Sequence, residues 1–228
     1  MIDSVAFSGC AMTNFYLPDS VEYLGDSVFE RTPLTHFEFN DKIDTFKDIF
    51  PICKNLRTVV LGKGIKKIES GALGGTSKID TIYYRGSKSD WEKINVTDVA
   101  SALKNIKIVY NYGQTSGVCG DNLAWSLQPD LFQITVEGSG DMYSYDNAED
   151  FTWSSTADDV MGVVIGNGVT SVGKNAFNGF PYLNEVLLGS TVARIDSLAF
   201  ANCGDLMTVA ITTEGDTKIE YGAFDRSE

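Results

Sequence analysis

The sequence predicts a leucine-rich repeat solenoid, a β-rich α/β superhelix built on a parallel strand ladder, in two repeat arrays with a β-hairpin insert between them. An internal period of about 22 residues is the first observation behind this. Segments aligned on a small or apolar residue followed by an aromatic place Phe7, Phe29 and Phe50 in register with Leu73, and later Phe177, Phe200 and Phe224. The second is an L-x-x-L-x-L-like strand in each unit, such as Leu56-Arg57-Thr58-Val59-Val60-Leu61. The third is a Gly, Asp or Asn turn after each strand, here Gly62-Lys63-Gly64, then a short extended segment, Ile65-Lys66-Lys67-Ile68, that leads to the next anchor. Such a unit cannot bury its apolar face alone and must stack on its neighbours.

Residues 1–85 form the first array. The strands at 14–17, 36–39, 58–61 and 81–84 should pair in that order. In each strand the first, fourth and sixth residues face the core and the fifth faces solvent. Residues 86–112 read as a helical cap. Ser89-Asp90-Trp91-Glu92 is a capping-box sequence and predicts a helix of about two turns, with Trp91 and Ile94 buried. A second helix can start at Thr97 or Asp98 and run through Ala100, Leu103 and Lys104. Ile106-Lys107-Ile108-Val109-Tyr110 reads as a strand. Residues 113–160 are the insert. Leu123–Leu127 and Leu131–Val136 form a hairpin around Gln128-Pro129-Asp130, and residues 139–159 form an irregular loop pinned by aromatic rings. Residues 161–228 form the second array, incomplete at its C-terminal end. Two units should be less regular: Phe46–Phe50, where the Gly/Ala corner is missing, and the unit with Thr32-Pro33. The chain opens and closes inside a repeat, where solenoids normally carry polar caps, so a piece of a longer protein is expected.

Composition narrows the function classes. The 228 residues are 43% hydrophobic, enough for a sizeable core, and the net charge is -13. The basic residues are scattered, which argues against nucleic acid and anionic membrane surfaces as partners. No run approaches the roughly 20 apolar residues of a membrane span, so membrane insertion is not expected. The N-terminus lacks the basic and apolar regions of a signal peptide. Of the four cysteines, Cys10, Cys53 and Cys203 share one repeat position, three residues after the anchor. Phe180 fills that position elsewhere, so an apolar requirement is expected there. Two repeats of about 4.8 Å separate Cys10 from Cys53, too far for a disulfide. The cysteines do not settle the redox compartment.

Several segments resemble the leucine-rich repeats of BspA-like bacterial surface proteins. They are Ile68–Leu73, Gly168–Phe177 and Ile195–Cys203. Ile82–Trp91 is similar to the array-ending segment of that family, and Cys119–Trp125 with Gly138–Met142 to the hairpin that often precedes a new array. The resemblance implies a secreted or surface-attached bacterial protein that recognises a protein or extracellular matrix ligand. It supplies no catalytic residues to carry over.

The chemistry-bearing residues are few. His36, the single histidine, stands at the third position of a repeat strand. Metal sites need several convergent ligands, so it reads as an ordinary strand residue. Cys119 sits in a glycine-rich turn without basic neighbours to activate it. Asp146, Glu149, Asp150, Asp158 and Asp159 form an acidic loop without the order of an EF-hand. No enzyme and no cofactor are expected. The candidate partner-binding surface is the fifth-position row: Tyr16, Glu38, Val60, Tyr83, Val164 and Leu187, with Ala210 in line. Such a row is unusually apolar for an exposed face. It could also pack on a neighbouring segment of the same chain, which would leave a structural spacer. A third reading is a carbohydrate-binding module with Trp125, Trp153 and Tyr145 as a stacking platform.

Overall fold

The computed structural model describes residues 1–96, 103–212 and 215–227, in two units, Met1–Tyr112 and Gly113–Glu228. The first unit holds β1 (Asn14–Tyr16), β2 (His36–Glu38), β3 (Thr45–Phe46), β4 (Thr58–Leu61), β5 (Lys67–Ile68), β6 (Thr81–Tyr84), the helical turn α1 (Lys88–Trp91), β7 (Asn95–Val96) and β8 (Lys107–Val109). The long ladder runs β1-β2-β4-β6-β8 and a short one runs β3-β5-β7, both parallel. Strand β2 lies between β1 and β4, as stacking requires, with Phe15, Phe37, Val59 and Ile82 in register. Leu34, Phe37 and Phe39 in one repeat, and Leu56, Val59 and Leu61 in the next, are fully buried. That is the first, fourth and sixth pattern that period-2 alternation gives.

The corner around each anchor is built from left-handed backbone. Val5, Ser27, Gly71, Asn175, Leu198 and Gly222 stand two residues before an anchor with positive φ, and Gly9, Arg31, Ile52, Gly75, Gly179, Asn202 and Arg226 two residues after. Non-glycine residues rarely adopt this region. The corners around Phe7, Phe29, Phe177 and Phe200 are tied to the next repeat. Phe7 N–H donates to Val28 O (2.9 Å) and Gly9 N–H to Glu30 O (2.8 Å), and Phe177 and Gly179 bond Ala199 and Ala201 in the same way. The corner before Phe50 lacks the left-handed residue and tightens instead through Ile49 N–H to Lys47 O (2.8 Å). This is the irregularity expected at Phe46–Phe50.

The unit with Thr32 is regular, contrary to expectation. The reason corrects the apolar reading of the third post-anchor position. Cys53 Sγ donates to Phe29 O (3.0 Å) and Cys203 Sγ to Phe177 O (3.2 Å), each reaching the preceding anchor. Thr32, Thr76 and Thr156 donate instead to their own anchors, Phe29, Leu73 and Trp153 (2.7–2.8 Å). Ser227 reaches Phe200 O at 2.7 Å. Apart from buried Phe180, which packs as an apolar side chain, the position takes small side chains whose donors add a hydrogen bond to a buried anchor carbonyl. All four cysteines are free.

The cap helix is shorter than expected. It is one turn, capped by Ser87, whose Oγ accepts from Asp90 N–H (3.1 Å), and not by Ser89. Trp91 is half-buried against Tyr84 and Ile94 is buried. Of the second expected helix, residues 97–102 lie outside the described residues.

The second unit contains β9 (Ser116–Gly120), β10 (Leu123–Gln128), β11 (Gln133–Gly138), β12 (Gly140–Asp141), β13 (Gly162–Ile165), β14 (Val169–Val172), β15 (Glu185–Leu188), β16 (Arg194–Ile195), β17 (Thr208–Ile211) and β18 (Lys218–Ile219). Strands β10 and β11 form the expected antiparallel hairpin, with β9 added on the far side. The hairpin is continuous with the array. Strand β11 pairs in parallel with β13, in the sheet order β17-β15-β13-β11-β10-β9, and β12 heads the order β12-β14-β16-β18. Trp153 takes the place of an anchor. It stacks on Phe177 at 5.1 Å and 8°, and Phe177, Phe200 and Phe224 continue the column at 5.3 Å. Residues 113–160 therefore supply the first turn of the second solenoid.

Candidate interaction surface

The fifth-position residues fall into two rows, one in each unit. In the first unit Tyr16, Glu38, Val60 and Tyr83 align across β1, β2, β4 and β6. They differ sharply in exposure. Tyr16 is 63% exposed, Glu38 and Tyr83 are half-buried, and Val60 is fully buried. Val60 was expected to face solvent. It is covered because Arg85, just past β6, reaches back over β4 to pair with Glu38 on β2, and also donates to Phe39 O (3.2 Å). Tyr112 packs at a tilt against Tyr83, with ring centres 4.6 Å apart. Its hydroxyl is pushed above the usual phenol value by burial, then by the nearby Glu38 carboxylate. His36 lies beside this cluster, with its ring 5.1 Å from Tyr16 and Nε2 3.5 Å from Glu38 Oε2. The first row is thus open at Tyr16 and closed over Val60.

In the second unit Thr135, Val164, Leu187 and Ala210 are in register across β11, β13, β15 and β17. Thr135 is buried and accepts hydrogen bonds from the Gln128 and Gln133 amides. Leu187 is 38% exposed, and Val164 and Ala210 are half-buried. The three apolar residues floor a shallow groove of about 310 Å³. No segment of the described chain lies over Leu187 as Arg85 lies over Val60.

A further row, apolar except at Asn184, was not expected from the sequence. It consists of second-position residues. Phe132, Met161, Asn184 and Met207 stack through backbone bonds from Met161 N–H to Phe132 O, Asn184 N–H to Met161 O and Met207 N–H to Asn184 O (2.7–3.0 Å). Phe132, Met161 and Met207 are all exposed. Their repeat-to-repeat spacing was the available signal, because x positions holding Phe and Met stand out against the polar residues usual there.

The other candidate residues are structural. Trp125 and Trp153 are fully buried, and Trp153 Nε1 donates to Ala176 O (2.7 Å), so these rings do not form an open stacking platform. Tyr145 packs edge-on against Phe151. Cys119 is buried, and burial pushes its thiol up to about 12. In the acidic loop, Lys174 Nζ pairs with Asp146 (2.7 Å) and holds its carboxyl below the usual range. Among the described residues no three His, Cys, Asp or Glu side chains group in a way that could hold a metal. No helix among them is long and apolar enough to cross a membrane.

A family model of the BspA type leucine-rich repeat region matches residues 1–95 and 149–228 in six copies. The chain belongs to this family. The second match begins at 149, so the BspA-type array includes Trp153 as the column of rings does. The chain is also similar to several solved structures. One is a leucine-rich repeat protein from Eubacterium ventriosum, 26% identical over 46% of this chain and 27% of that one, with TM-score 0.43. Another is the pneumococcal vaccine antigen PcpA, 14% identical over 99% of this chain and 65% of that one, with TM-score 0.33. A third is a leucine-rich cell surface protein from Faecalibacterium prausnitzii, 14% identical over 99% and 79%, with TM-score 0.29. The chain spans about a quarter of the first of these and about two thirds of the second. No curated protein matches the chain.

Proposed function

We propose that the chain is a non-catalytic recognition module of a secreted or cell-surface protein, and that it binds a protein or matrix ligand through the outer faces of its strand ladders. The observation that carries this is the open apolar surface of the second ladder, where Leu187 stands exposed on β15 and Met161 and Met207 stand exposed on the backbone-bonded residues that lead into β13 and β17. Contiguous exposed apolar surface of this kind marks interaction sites. Rigid parallel strands also hold the side chains at fixed spacing, which lowers the ordering cost of binding. Family membership supports the same reading, since repeat solenoids present extended binding surfaces. A second reading, a structural spacer, is favoured by one observation in the first unit, the burial of Val60 under Arg85 and Tyr112.

The test is surface plasmon resonance of the intact chain against a panel of purified extracellular matrix proteins, acidic and basic. Wild type is compared with Tyr16→Ser/Tyr83→Ser and with Leu187→Ser/Met207→Ser. Recognition requires at least one panel protein to bind, and at least one variant pair to weaken it about tenfold, roughly 1.4 kcal/mol, while keeping a native circular dichroism spectrum. If no panel protein binds, or if both pairs bind as wild type does, the spacer reading stands in its place.

A further inference from the structure

Charge is divided unevenly between the two units. Residues 1–112 carry fourteen acidic and fourteen basic side chains, and residues 113–228 carry seventeen and four. The whole net charge of -13 therefore belongs to the second unit. Its four bases, Lys174, Arg194, Lys218 and Arg226, all lie away from the long ladder. Lys174 pairs with Asp146, Arg194 with Asp196 and Lys218 with Glu220 (2.6–2.7 Å), around the β12-β14-β16-β18 ladder. Strands β9, β10, β11, β13, β15 and β17 contain no lysine or arginine.

Carboxylates, by contrast, frame the apolar rows of that ladder. Glu185 shares the outer face of β15 with Leu187. Asp159 and Asp205 stand at equivalent repeat positions, two residues before Met161 and Met207, and both are exposed. Among the described residues none of these three carboxylates has an ion-pair partner. Negative charge left unneutralised beside exposed apolar side chains makes an amphipathic face of one sign. Such a face attracts a partner of the opposite sign and repels polyanions.

We propose that the long ladder of the second unit docks a basic amphipathic polypeptide segment, with its apolar side chains on Leu187, Met161 and Met207 and its lysines or arginines on Glu185, Asp159 and Asp205. The charge complementarity selects this occupant over a nucleic acid or an anionic lipid surface, both of which the face repels. The strands β11 to β17 span about 15 Å at the usual inter-strand spacing. An extended segment of roughly five residues crosses that distance. The proposal rests on the recognition reading and deepens it, but the two fail separately. A panel protein lost on Tyr16→Ser/Tyr83→Ser and kept on Leu187→Ser/Met207→Ser preserves recognition and removes this proposal.

The direct test is fluorescence anisotropy with the intact chain. The probes are labelled peptides of about ten residues, a length that covers the ladder with margin, with leucine alternating with either lysine or glutamate. The lysine peptide should bind more tightly than the glutamate peptide, and added salt should weaken it as screening shortens the Debye length. Asp159→Lys/Asp205→Lys should reduce lysine-peptide affinity at least tenfold. Asp146→Lys/Asp225→Lys, with the same change in net charge away from this face, should reduce it no more than about twofold. Leu187→Ser/Met207→Ser should also reduce it about tenfold. Equal losses in the two charge-reversal pairs would mean diffuse attraction to the whole unit, and the proposal falls. It falls as well if the lysine peptide does not bind. Sedimentation velocity covers the remaining occupant: self-association abolished by Leu187→Ser/Met207→Ser, without peptide binding, would assign the face to a second copy of the chain.

Discussion

Replacing Gly173 or Gly204 with alanine is the same chemical change, yet the structure assigns the two substitutions opposite signs. Neither glycine has a left-handed φ, so alanine can adopt both backbones. In the unfolded state alanine has less freedom to lose, which favours the variant by about 0.4–1 kcal/mol. At Gly204 nothing lies within 4 Å of an added Cβ, and that gain should appear in full. At Gly173 the Cβ falls on the Tyr143 carbonyl group, 2.9 Å from its carbon and closer still to its oxygen. Carbon atoms normally meet at about 3.5–4.0 Å, so the carbonyl must move by more than about half an ångström. It belongs to backbone held by Tyr143 N–H to Cys119 O (2.7 Å), and the adjoining chain is held by Lys174 N–H to Ser144 Oγ (3.0 Å), so the strain spreads. Overpacking of this kind costs about 1–3 kcal/mol. The net expectation is a loss of about 1–2 kcal/mol for Gly173→Ala and a gain of up to about 1 kcal/mol for Gly204→Ala. Urea unfolding followed by far-UV circular dichroism measures both. With a slope of about 2 kcal/mol/M, the midpoint should fall by roughly 0.5–1 M for the first and rise by up to about 0.5 M for the second. A Gly173→Ala protein as stable as wild type would show that the repeats do not stack at the distance on which this reasoning depends.

Three further outcomes are expected. Iodoacetamide at pH 8 should label half-buried Cys10 in the native protein and leave Cys53, Cys119 and Cys203 unmodified until denaturant is added, because burial raises all three thiols, Cys119 to about 12 and Cys203 to about 11; mass spectrometry counts the adducts, and native labelling of Cys203 would contradict its burial. Asp48 has a buried Oδ1 without a partner, and burial followed by the nearby Asp26 raises its carboxyl above the usual value. A raised carboxyl disfavours the folded state once ionised, a penalty that is relieved as pH falls through the folded value. Asp48→Asn should therefore raise the melting temperature at pH 7 and do so less at pH 4, and an equal or inverted effect would refute the assignment. Ile52 is a β-branched residue with φ of 63° and is largely exposed, so Ile52→Asn should stabilise by up to about 1 kcal/mol through strain relief, measured by the same urea titration.

The ladder order was legible because Leu56, Val59 and Leu61, and their counterparts, repeat at strand spacing and have no other way to be buried. The start of the second array was not legible. Trp153 replaces the anchor phenylalanine, and the polar, aromatic-dotted stretch before it hides the period, although the ring geometry makes it one member of the same column. The donor role of Cys53 and Cys203 was masked because cysteine, threonine and serine look unrelated in an apolar alignment, and only the anchor carbonyls they reach unite them. At the candidate surface, the alignment of Tyr16 with Val60 and of Val164 with Leu187 followed from the repeat. The burial of Val60 did not, because it depends on a charged side chain reaching across β4 to Glu38. The charge division and the boundary after Tyr112 were both present in the sequence; the exposure of Met161 and Met207 beside Asp159 and Asp205 was not.

The indoles divide unevenly between the units. Trp91, near Tyr84 and Tyr110, is the sole tryptophan of residues 1–112, whereas Trp125 and Trp153 stand edge to face, 5.6 Å apart, inside the second unit. A single Trp91→Phe change therefore leaves an emission spectrum that comes from the second unit alone, and Trp125→Phe with Trp153→Phe does the converse for the first. The chain carries its own pair of optical reporters, and with them the cooperativity between its two halves can be followed in one cuvette without any attached dye.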